Sequence, residues 1–105
     1  GRLYVIVGRA TFSAAMEATN LFHDGTAAIF VGEATGAKPR FCLRRGDFPV
    51  PYFGVRVSYS QGNEHANLDG PALVPEMPTR VTFRDYMSGF DPALDSILRI
   101  PPPVN

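Results

Sequence analysis

Leu3-Tyr4-Val5-Ile6-Val7-Gly8-Arg9-Ala10-Thr11-Phe12-Ser13-Ala14-Ala15-Met16 is an apolar run that breaks at a glycine and then opens a helix with a serine in its first turn. Five consecutive apolar residues suit a strand buried on both faces, the kind that belongs to α/β folds. From Phe12 to His23, the residues Phe12, Ala15, Met16, Ala18, Thr19 and Phe22 trace a helical stripe, and His23-Asp24-Gly25 supplies a stop. A hydroxyl at the start of that helix lies at the positive end of the macrodipole. The neighbouring first-turn N–H groups have no intrahelical partner and can hold an oxyanion, an arrangement that suits acyl transfer. The structural alternative is that Thr11 or Ser13 is an ordinary N-cap.

The next stretch bears on that choice. Ala27 to Val31 returns as a second buried strand, most simply parallel to the first, and runs into Gly32-Glu33-Ala34-Thr35-Gly36-Ala37-Lys38. Serine is a poor nucleophile at neutral pH and needs a base within hydrogen-bond reach. Lys38 is a candidate base if desolvation or nearby positive charge keeps its amine neutral, whereas a lone loop lysine is ordinarily a solvated charge.

Ser13 in a small-residue helix start, followed by Val31-Gly32-Glu33-x-Thr35-x-x-Lys38, resembles the tail-specific, or C-terminal processing, serine peptidases of family S41. The resemblance implies a ClpP/crotonase-like α/β fold, of which this chain would be the C-terminal part of the catalytic domain, built on a strand-helix-strand core. It implies Ser13 as nucleophile, Lys38 as base and the Ala14 N–H as first oxyanion donor, with a second donor from a glycine turn earlier in the domain. Glu33 would order the loop carrying Lys38. In this family a glycine usually follows the lysine; here Pro39 does. Pro75-Glu76-Met77-Pro78 resembles a segment of the tricorn-like branch. There an acidic residue shortly before it, in the place of Asp69, serves a serine, histidine and acidic relay. In that branch the base would be a histidine from upstream sequence, so Lys38 and such a histidine both stand as candidates. Asp69 is equally well read as part of an Asp-Gly-Pro turn.

Composition narrows the partners. The chain has 105 residues, 45% of them hydrophobic, which suffices for one modest core over residues 1–100, with a proline-rich tail over 101–105. Ten basic and ten acidic residues balance, so no net charge draws the surface to nucleic acid or anionic lipid, and a peptide or protein substrate is the better expectation. The single cysteine, Cys42, excludes an intrachain disulfide and reads as a buried small side chain. No Cys/His spacing resembles a zinc site, and neither a metal nor a cofactor is expected. No apolar run approaches the length of a membrane span, and the first residues lack a signal-peptide pattern. The family resemblance by itself implies an exported, periplasmic or extracellular location. Sheet surface left open in a partial domain predicts self-association, or pairing with the N-terminal part.

Further along, Val55, Val57 and Tyr59 alternate with polar residues as a half-exposed strand, with Arg40 to Leu43 as hairpin partner and Gly46-Asp47 and Pro49-Val50-Pro51 as turn and edge signals. Residues 61–79 read as a surface loop, and Arg80 to Phe83 as a short strand or the opening of a helix. Asp91-Pro92 starts a last helix with Asp91 as N-cap. His23 reads as a helix C-terminal residue and His65 as a solvent-exposed loop residue, with the weaker alternative that it serves as a base. Arg40, Arg44 and Arg45 are candidates for holding a peptide carboxylate. Two functions outside proteolysis also fit: a noncatalytic ligand-binding or interaction module, and a crotonase-like acyl-CoA enzyme.

Overall fold

The computed structural model describes residues 2–40, 44–61 and 67–101. Its centre is a parallel three-stranded sheet in the order β1-β2-β5, formed by β1 (Tyr4–Val7), β2 (Ile29–Gly32) and β5 (Met77–Pro78). The first two strands run in register from Tyr4 opposite Ile29 to Val7 opposite Gly32. Helix α1 (Ala14–Gly25) connects them. Val7, Phe30, Met16 of α1 and Leu73 make the main core, with Val5 packed against it. On the opposite parity Val31 is fully buried, and α3 (Pro92–Leu98) packs on β1 and β2, burying Ala93. Because β2 is covered on both sides, its residues are apolar without alternation.

Local chemistry sets the ends of the elements. The helix expected from Phe12 begins at Ala14, and Phe12 stands outside it, exposed. Its stop is one residue later than His23-Asp24-Gly25 suggests: Gly25 is still helical, and extended Thr26 closes the turn with its N–H and hydroxyl both donating to the Phe22 carbonyl. A short helix, α2 (Phe83–Ser88), follows Thr82, so the Arg80–Phe83 stretch leads into a helix and not a strand. Thr82 and Asp85 form a reciprocal capping box there, and Gly89 ends the helix in the left-handed region at φ 68°. Asp91 caps α3 as anticipated, accepting from the N–H groups of Ala93 and Leu94.

Two expectations are corrected. The segment 61–79 is not all surface loop: Leu73 and Pro75 are buried, and Met77–Pro78 pairs in parallel with β2. A two-residue strand containing proline has no readable period. Its pairing is completed by Thr79, whose N–H donates to the Gly32 carbonyl, and by Glu76, whose carboxylate accepts from the Phe30 N–H at 2.8 Å. The hairpin also differs from the turn signals: β3 (Arg44–Pro49) pairs antiparallel with β4 (Arg56–Gln61), whereas of the expected partner segment 40–43 only Arg40 is described, in a bend. Gly46-Asp47 lies inside the ladder because the Tyr59 ring occupies the space a Cβ on Gly46 would fill. The turn is 50–55, closed by the Val50 N–H donating to the Val55 carbonyl. Residues 41–43, including Cys42, and His65 lie outside the described residues, as does the tail from 102.

Candidate active site

Ser13 occupies the N-cap position of α1 but does not behave as a cap. Its backbone sits at φ 55°, ψ −126°, and its side chain makes no capping hydrogen bond. The chain supplies its own comparison. Thr82 at φ −89° and Asp91 at φ −105° hold extended backbones, and both accept first-turn N–H groups through their side chains. The positive φ at Ser13 is a conformation that costs a residue with a Cβ roughly 1–3 kcal/mol. Ser13 is the last of the six residues, 8–13, that join β1 to α1, and it is exposed. Thr11, the other candidate cap, is spent on the preceding turn: its N–H donates to the Gly8 carbonyl and its hydroxyl accepts from the Gly8 N–H.

The first turn is arranged around the serine. Its carbonyl accepts from the N–H groups of Met16 and Glu17, and the Ala15 N–H donates to the Phe12 carbonyl. The Ala14 N–H, which directly follows Ser13, makes no hydrogen bond among the described residues, so it is the first-turn donor open to a ligand.

The loop that follows β2 is tied to the residues just after β1, ahead of this turn. Glu33 donates its N–H to the Val7 carbonyl, and its carboxylate pairs with Arg9 at 3.4 Å. Arg9 is largely exposed, so the pair adds at most about 1 kcal/mol and chiefly sets direction. Gly36 lies so close to the Arg9 carbonyl that a Cβ would collide with it, which ties the two loops backbone to backbone. Thr35 is buried and its hydroxyl bonds twice: it donates to the Ala37 carbonyl at 2.9 Å and accepts from the Leu73 N–H at 2.9 Å. Pro39 is fully buried, and its carbonyl accepts from Asn20 Nδ2 at 2.8 Å. The loop is therefore fastened on both sides of Lys38. Asn20, on the core face of α1 one turn after Met16, was not singled out from the sequence, although that i, i+4 spacing marks the face it shares.

Lys38 itself is exposed and opens on a cleft of about 510 Å³ that it shares with Arg40 and Asp69. No hydrogen bond links Lys38 to Ser13 among the described residues. Pro39 adjoins Asn20, seven residues from Ser13, which is ~10 Å along the helix axis. Asp69 faces the same cleft and precedes Gly70, whose φ of 113° marks the Asp-Gly-Pro turn. His23 is engaged at the far end of α1, where Nδ1 lies 2.9 Å from Asp24. That hydrogen bond holds the Asp24 carboxyl below its ordinary value.

A second cavity, about 460 Å³, lies between the C-terminal ends of β1 and β2 and the helices α2 and α3, walled by Ile6, Val81, Tyr86 and Phe90. No helix among the described residues is long and apolar enough to cross a membrane. Among them, no group of three or more His, Cys, Asp or Glu side chains could hold a metal ion. No family model matches the chain, and no curated protein is significantly similar to it.

Proposed function

We propose that this chain is the C-terminal part of a ClpP/crotonase-like serine peptidase domain of the S41 type, with Ser13 as its nucleophile. The observation that carries the reading is the Ser13 backbone, held at φ 55° with its hydroxyl free of capping duty, in a chain whose other helix starts use ordinary caps. Strain of this kind persists where the surroundings impose it, and functional turns are where it concentrates.

In the proposed reaction Ser13 Oγ attacks the carbonyl carbon of a peptide or protein substrate and gives up its proton to the base. The tetrahedral oxyanion is held by the Ala14 N–H. The base returns the proton to the departing amine, leaving an acyl-serine that water hydrolyses by the same steps. Two groups can be that base. Lys38 serves if substrate or further protein covers its amine. A histidine from outside this chain serves otherwise, with Asp69 as its acidic partner, and the exposure of Lys38 favours this second arrangement for the chain as it stands. Thr35, Gly36 and Asn20 position the Lys38 loop in either case.

The test is labelling of the full-length protein with a fluorophosphonate probe, with the modified peptide located by mass spectrometry. Labelling at Ser13 that disappears in Ser13→Ala is the expected result. A folded protein that takes no label at Ser13 would overturn the proposal and leave a noncatalytic module of similar fold. Comparing Lys38→Ala with the parent then separates the two bases: lost labelling assigns Lys38, and retained labelling assigns the base elsewhere.

A further inference from the structure

The cavity between the carboxyl ends of β1 and β2 and the helices α2 and α3 is separate from the site described above, since neither Ser13 nor Lys38 lines it. Its walls are mostly apolar, with Ile6 and Val81 beside Tyr86 and Phe90, and its volume of about 460 Å³ falls in the range of small-ligand sites. It stands where open parallel sheets ordinarily take ligands, beyond the carboxyl ends of the strands. The two strand ends stay close there because Gly32, at φ 124°, lies against the Val7 carbonyl, with which a Cβ would collide.

The charged lining is of one sign. Glu33, Asp85 and Asp91 line the cavity, and among the described residues no lysine, arginine or histidine does. Each carboxylate is held by its own chain through one oxygen. Asp85 Oδ2 accepts from the Thr82 N–H and hydroxyl, Asp91 Oδ1 from the Ala93 and Leu94 N–H groups, and Glu33 Oε1 from Arg9. The second oxygens, Asp85 Oδ1, Asp91 Oδ2 and Glu33 Oε2, have no partner among the described residues. Thr79 also lines the cavity, and its Oγ1 is shielded from solvent and likewise unpartnered. A polar atom left unpaired away from water costs folding free energy that a ligand's donor would recover. The nearby cations stand outside the lining: Arg9 and Arg80 belong to a separate cleft, and Arg84 only attracts the Asp85 charge.

We infer that this cavity binds an organic cation, a primary ammonium on an apolar body. The body displaces water from the apolar walls, where the Tyr86 and Phe90 rings can also attract a cation. The ammonium is a donor only, with three N–H groups, which suits carboxylate oxygens and a hydroxyl that lack donors. An anionic ligand would meet three like charges. The inference is independent of the peptidase reading, and its test reads binding and not turnover.

The protein is titrated with phenethylamine at neutral pH and followed by amide spectra and calorimetry, with phenethyl alcohol and hydrocinnamate as neutral and anionic probes of similar shape. Saturable shifts at amides around the cavity, such as those of Gly8, Gly32 and Gly89, are expected in the ~millimolar range open to so small a probe. The alcohol and the acid should bind about tenfold or more weakly. Asp91→Asn keeps the α3 cap, because asparagine serves helix starts as well as aspartate does. It should nevertheless weaken phenethylamine binding about tenfold. Asp95→Asn removes the same charge from α3 outside the lining and should leave binding unchanged. Far-UV circular dichroism reports whether each variant keeps its fold. N-acetyllysine methylamide distinguishes the source of the cation: tighter binding than phenethylamine at the same amides supports the site with a lysine side chain as ligand, weaker binding with a free amine. Absence of saturable shifts around the cavity overturns the inference. So does an alcohol that binds as tightly as the amine, or equal weakening by the two aspartate variants while both are folded. Hydrocinnamate binding more tightly than phenethylamine overturns it in favour of an anion site.

Discussion

Ser13, Thr82 and Asp91 all stand immediately before a helix, and all three residue types are common there. What separates them is the backbone. Because the conformation at Ser13 is one that glycine adopts freely, Ser13→Gly should relieve the strain. Strain relief of ~1–3 kcal/mol, less the ~0.5–1 kcal/mol that glycine's freedom costs on folding, leaves a net gain of about 1 kcal/mol. Urea unfolding is the measurement. Ser13→Ala keeps the strained Cβ and should leave the midpoint nearly where it was. A glycine variant no more stable than the alanine variant would mean that the turn is not strained. The serine's place was legible from the apolar run, the glycine break and the small residues that follow. Its φ was not, because a serine before a helix reads alike whether its backbone is extended or left-handed. Asp91-Pro92 was fully legible, since proline at the first helical position admits one reading.

At the level of elements, the Glu33–Pro39 loop is held by interactions that a substitution can remove one at a time. Thr35→Val keeps the shape but deletes a hydroxyl that satisfies the Leu73 N–H and the Ala37 carbonyl. Leaving buried backbone groups unpaired costs ~1–3 kcal/mol, so a loss of about 2 kcal/mol is expected in the unfolding midpoint. Amide exchange at Leu73 should quicken in the same variant, and unchanged exchange there would show that the loop does not depend on the hydroxyl. α2 makes a pH prediction. The Thr82 hydroxyl, and after it the Thr82 N–H, hold the Asp85 carboxyl below its ordinary 3.8. A carboxyl whose folded value is depressed stabilises above its unfolded value and loses that contribution as pH falls through the folded one. The capping box should therefore be intact at neutral pH and open below pH 3.8, reported by the Thr82 and Asp85 amide shifts; Asp85→Asn should abolish the transition. The sequence made β1, α1 and β2 readable because burial on both faces and helical period write themselves into long apolar patterns. It concealed β5, whose two residues join the sheet through Thr79 and Glu76. It also hid β3, where Gly46 signals a turn but in fact makes room for the Tyr59 ring.

On the scale of the whole molecule, the radius of gyration is 18.1 Å, where a compact chain of this length would measure ~13 Å. Large apolar side chains are exposed on α1, α2 and α3 as well as on the β3–β4 ribbon, and the main core rests on Val7, Met16, Phe30 and Leu73. Sequence composition sufficed to predict one modest core, and the resemblance to part of a larger domain implied open sheet surface. It could not say where that surface lies, because the two faces of the ribbon are separated only once the register is known.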